Sequence, residues 1–155
     1  MRKPMRFLPP NRLTKVIEDP KAPTLTALAR QADDRIAAHA GVLGVHVTVL
    51  ARQLAEEAEK PGALTTDRRG VISRMAMQIC ETAGWAGLHL LGEVARGVYA
   101  ITHPGAPDAP EGADALRLHA KALKLLDSPQ APGPEAAAEV LKGLHRVRRW
   151  LGANE

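Results

Sequence analysis

At 155 residues and 16.6 kDa, with 45% hydrophobic and 25% charged residues, the chain has the bulk and balance of one globular domain with a real core. The formal net charge is +4, and the single cysteine, Cys80, excludes an internal disulfide framework. No run of apolar residues is long enough to read as a membrane-spanning helix, so no membrane role is expected.

The charge is unevenly placed. Residues 1–21 carry six Lys and Arg against Glu18 and Asp19, and residues 142–149 carry Lys142, Arg146, Arg148 and Arg149. Aromatics are confined to Phe7, Trp85, Tyr99 and Trp150, so the core must be aliphatic and alanine-rich, and modest stability follows from the small area each side chain buries. The N-terminus, MRKPMRFLPPNR, has no apolar h-region, so it does not read as a signal peptide. With one cysteine and no such leader, a cytoplasmic location is expected.

In chain order, prolines and glycines cut the sequence into helical segments, and no convincing strand alternation occurs. Residues 1–11 read as an extended arm held by Pro4, Pro9 and Pro10. A short helix at 12–18, capped by Asn11, ends at Asp19-Pro20. Thr24 caps a long helix that reaches Glu59, where Lys60-Pro61-Gly62 stops it; Gly41 and Gly44 are candidate bends. At 1.5 Å per residue it would span roughly 54 Å. Thr65 or Thr66 starts the next helix, which ends near Ala83. Gly84 to Gly87 mark a turn or a tight crossing, and a fourth helix runs to about Thr102. A proline-rich loop covers 102–112, with Asp108 and Glu111 at capping-box spacing before a fifth helix over about 110–127. After SPQAPGP, Pro134 opens a last helix that ends near Leu151. The expected fold is therefore all-α: an up-and-down bundle of about five helices plus the short N-terminal one, with 12–155 as a single bundle domain.

Chemistry is sparse in this pattern. The histidines are His39, His46, His89, His103, His119 and His145; none forms HExxH or a Cys/His cluster, so no metal and no cofactor is expected. Cys80 sits mid-helix and reads as a small buried residue rather than an activated thiolate. The acid pairs Asp33-Asp34 and Glu56-Glu57 point apart on a helix, and no glycine-rich phosphate loop follows a strand. An enzyme is not expected.

Two surfaces stand out for binding. On the long helix, Ile36, Leu43 and Leu50 form one apolar row and Ala40, Val47 and Leu54 another, while His39, His46 and Gln53 run along the same broad face. That polar track is either a docking or pH-sensitive seam or a set of half-buried histidines bonded to neighbours. The apolar face is more than one thin bundle covers, which leaves room for a homodimer. On the last helix, Lys142, Arg146 and Arg149 share one face. Such a face could meet an acidic protein or nucleic acid, but cations at a helix C-terminus also complement the macrodipole, and nucleic acid ranks low because the patch lacks interleaved aromatics.

The stretch ICETAGWAGLHLLGEVARGVY, residues 79–99, resembles in shape the hairpin of histidine-phosphotransfer domains, whose signature reads roughly H-x-x-K-G-x-A-x-x-x-G. Ala83 and Gly87 match its last two positions. Met77, Cys80 and Glu81 stand where the phospho-histidine, lysine and first glycine would be, and methionine cannot accept a phosphoryl group.

A broader resemblance spans most of the chain. NRLTKVIEDP, TLTALARQADDRIA, AGWAGLHLLGEVA, DALRLHAKALKLL and AAEVLKGLHRVRRW look like the small CheE-type proteins of alphaproteobacterial chemotaxis operons, with an HxxALxLL helix at His119 to Leu126 and a GLxxV helix at Gly143 to Val147. The resemblance implies a non-catalytic module of chemotaxis or two-component signalling that binds a response-regulator receiver domain or a kinase component. It hands over no catalytic residue. Trp85 and Leu88, beside the hinge glycines, are the contact candidates, with core filling as their alternative role. His39, His46, Lys142, Arg146 and Arg149 complete the candidate partner-binding set. The alternative functions are a phosphoryl carrier using an unconventional histidine, His119 being the best candidate because it opens its helix motif, and a small basic nucleic-acid-binding protein.

Overall fold

A computed structural model describes residues 23–153 of the chain. Among them are five helices and no strand: α1 (Leu25–Glu59), α2 (Thr66–Ala83), α3 (His89–Thr102), α4 (Gly112–Leu126) and α5 (Pro134–Trp150). The arm expected at 1–11 and the short helix expected at 12–18 lie outside the described residues. The chain divides into two units, Met1–Ile36 and Ala37–Glu155.

In the first unit the described residues are the start of α1. Thr24 caps it, its hydroxyl accepting from the Ala27 N–H at 3.2 Å, as its place after Pro23 suggests. Every residue from Leu25 to Ile36 is exposed. The helix runs unbroken through Gly41 and Gly44. One missing side chain at each position costs helix propensity but removes no backbone hydrogen bond.

The second unit is the bundle. α2 packs on α3, α3 on α4 and α5, and α4 on α5, so from α2 onward each helix packs on the next. The main core joins Val47, Leu54, Ile72, Ile79, Val94, Val98, Leu116 and Leu123, all fully buried, with alanines filling between them. A smaller cluster of Ala100, Ile101, Ala115, Leu151 and Ala153 closes the far end of α3.

The connections are built from local chemistry. Beyond Lys60-Pro61, Arg68 of α2 donates to the carbonyls of Glu57 at 2.5 Å and Lys60 at 2.7 Å, satisfying acceptors that the end of α1 leaves open. Thr65 caps α2, accepting from the Arg68 N–H. The α2–α3 turn is a Schellman motif: Leu88 N–H bonds Ala83 O at 2.8 Å, Gly87 N–H bonds Gly84 O at 3.2 Å, and Gly87 sits at φ +72°. Only Gly87 of that stretch needs to be glycine for its backbone. The tight crossing lies further on, where a Cβ on Gly92 would come within 3.1 Å of Ala83 Cβ.

The capping box expected before α4 does not form. Glu111 occupies the cap with no side-chain bond, because a turn closed by Gly112 N–H to Ala109 O delays the helix to Gly112. Asp108 instead meets Arg69 at 2.9 Å.

Candidate functional site

The candidate residues fall on separate elements, and the structure sorts them by exposure. The α2–α3 turn splits its pair. Leu88 is half-buried and packs against the main core, which anchors the turn. Trp85, two residues before the positive-φ glycine, is 60% exposed. The core-filling alternative therefore holds for Leu88 and fails for Trp85. The turn that carries the exposed indole is itself fixed to the core through Leu88.

His39 and His46 are both exposed, as is Gln53. The polar track of α1 is thus a solvated flank and not a set of half-buried, internally bonded histidines. The apolar rows beside it change character along the helix. Val47, Leu50 and Leu54 are buried, Ala40 and Leu43 are half-buried, and Ile36 is exposed.

On α5, Lys142, Arg146 and Arg149 are exposed. Lys142 reaches back to Glu139 at 2.6 Å, an i,i+3 pair that offsets part of the patch. Arg148, next to them in sequence, points the other way, toward α3 and α4: its Cδ lies 3.4 Å from where a Cβ on Gly97 would be.

His119 is the clearest correction. A carrier histidine must expose its ring, and His119 is 0% exposed. Its Nδ1 lies 2.8 Å from the carbonyl of Ala115. A carbonyl only accepts, so Nδ1 carries the proton and Nε2 is the bare nitrogen. Nε2 has no hydrogen-bond partner among the described residues and faces α3 at Gly97, where a Cβ would fall only 2.6 Å away. Burial lowers the pKa of the ring to about 4; the Ala115 bond works against that shift, and the charges of Arg148 and His145 add to it. The residue that opens the HxxALxLL motif is a neutral core histidine, and the glycine at 97 exists to admit it.

Cys80 is half-buried, with its thiol 3.7 Å from Gly92 O, and burial pushes the thiol pKa up, the direction opposite to an activated nucleophile. Among the described residues no three His, Cys, Asp or Glu side chains gather as a metal-ligand group, and no helix is long and apolar enough to cross a membrane.

Sequence reasoning missed one surface. An open apolar groove of about 460 Å³ runs between α4 and α5, walled by Leu118, Leu125, Val140 and Val147, with Lys121 on the α4 rim and Glu139 on the α5 rim. The signal was available: Leu118, Lys121 and Leu125 share a helix face with Ala122, and Val140, Gly143 and Val147 do so on α5. Gly143 widens the space between the two walls.

Comparison with family models, with curated proteins and with solved structures returns no match to this chain.

Proposed function

We propose that the chain is a non-catalytic helical interaction module of bacterial chemotaxis or two-component signalling, which docks on a response-regulator receiver domain or a kinase component. The observation that carries the reading is the exposed Trp85 on a turn pinned to the core by Leu88 and by the Gly87 cap. Tryptophan held rigidly at a surface loses little entropy on binding and supplies a large contact area. The resemblance to CheE-type proteins supplies the partner class.

The carrier alternative draws no support from His119, whose ring is enclosed and neutral. The nucleic-acid alternative rests on the small basic face of α5, where Lys142 already has an acidic neighbour.

Calorimetric titration against receiver domains, with and without a phosphoryl mimic, tests the proposal while phosphoryl transfer is followed in the same mixtures. Binding without transfer is the expected result. Transfer to this chain, or no binding in either state, would overturn it.

A further inference from the structure

Two apolar surfaces of this chain are complementary to each other. The first is the start of α1. Leu25, Leu28, Ala32 and Ile36 stand at i, i+3, i+7 and i+11, a single helix face, and Leu25 is 86% exposed, Leu28 42% and Ile36 43%. The second is the groove between α4 and α5, where Leu118 is 44% and Leu125 42% exposed.

Their dimensions and charges agree. Leu118 to Leu125 along the groove is seven residues, roughly 10 Å at 1.5 Å per residue; Leu28 to Ile36 is eight, roughly 12 Å, and covers it, while Leu25 extends the stripe past the groove's end. Asp33 lies about 60° to one side of the Ile36 direction, and Arg35 about 100° to the other. The groove has a basic rim on α4, Lys121, and an acidic rim on α5, Glu139. A helix can lie in a groove in two directions. Only one of them sets Asp33 beside Lys121 and Arg35 beside Glu139, so the charges choose the direction as well as the site.

We infer that this chain forms a two-fold dimer in which the Leu25–Ile36 stripe of each copy lies in the α4/α5 groove of the other. Stripe and groove are two different patches of one sequence, and in a two-fold pair each copy gives its stripe to the other's groove, so both surfaces are used twice. The occupant of the groove is thus a second copy of this chain. The inference is independent of the signalling reading, because it uses neither Trp85 nor any receiver domain.

Sedimentation equilibrium of the full chain tests it. The wild-type protein is expected to show a monomer–dimer equilibrium; a monomer up to millimolar concentration would overturn the inference. Ile36→Glu and Leu125→Glu, both at exposed positions, should each weaken dimerisation by at least about tenfold. Mixing these two variants should form a heterodimer more stable than either variant's homodimer. In that pair, the intact stripe of one chain meets the intact groove of the other. Stripe-to-stripe pairing predicts the opposite: Leu125→Glu would dimerise like wild type, and mixing would rescue nothing. Asp33→Lys and Lys121→Asp should each weaken the dimer, and the double variant should recover most of the loss. Failure of the double variant to recover would also overturn the inference.

Discussion

Acidification should destabilise this protein through His119. The ring is enclosed and neutral, with burial lowering its pKa to about 4 from the ordinary 6.5. Because the folded value is the lower one, the unfolded chain takes up the proton first as the pH falls. The stability contributed by the neutral ring is therefore complete above pH 6.5 and is lost as the pH falls toward 4. At about 1.36 kcal/mol per pH unit, the loss is about 2 kcal/mol by pH 5 and about 3 kcal/mol by pH 4. Against a total of roughly 5–15 kcal/mol for a domain, that is a large fraction. The assay is urea unfolding at a series of pH values for the wild type and for His119→Gln, which keeps a polar side chain but cannot titrate. Acid effects that do not involve residue 119 are common to both proteins and cancel in the difference. The wild-type advantage over the variant should shrink by about 3 kcal/mol between pH 7 and pH 4. Parallel pH profiles would refute the reasoning, since they would mean the ring is solvated or already charged in the fold.

Further outcomes follow from the same packing. Gly97→Ala places a methyl group 2.6 Å from His119 Nε2 and should cost about 1–3 kcal/mol in urea unfolding, with part of the loss recovered when His119 is also reduced to Ala. Arg68→Ala removes Nη2, the one nitrogen that donates to both the Glu57 and Lys60 carbonyls at the end of α1, and thermal unfolding should register a loss of about 1–3 kcal/mol. Asp108→Ala, by contrast, should change stability by less than about 1 kcal/mol, since the Asp108 side chain is 93% exposed in its pair with Arg69.

The helix ends were readable because their signals are local. Thr24 and Thr65 cap where a hydroxyl precedes a helical run, Pro134 opens α5, and Lys60-Pro61-Gly62 closes α1. The capping box at Asp108 was misread for a related reason: the spacing was right, but Ala109 and Gly112 form their own turn, and Arg69, far away in sequence, competes for the carboxylate. What periodicity could not supply was the third dimension. Gly92 against Ala83 and Gly97 against His119 are contacts between helices, and no spacing within one helix announces them. The same limit governed the candidate site. Histidine is compatible with a core or a surface, and only the neighbouring helices decide that His119 is enclosed while His39 and His46 are not. Trp85 and Leu88 are close in sequence on one turn, yet one meets solvent and the other the core. The groove between α4 and α5 needed both helices in place before its two apolar walls could be seen as one surface.

The most direct test of the proposed function compares wild type and Trp85→Ala in the receiver-domain titration. Because Trp85 is exposed, its loss should leave the unfolding midpoint nearly unchanged. The account predicts that affinity for the receiver domain falls by at least about tenfold in the variant, with no phosphoryl transfer to either protein. Equal affinity of the two proteins would contradict the docking role given to Trp85, and labelling of either chain would contradict a non-catalytic module.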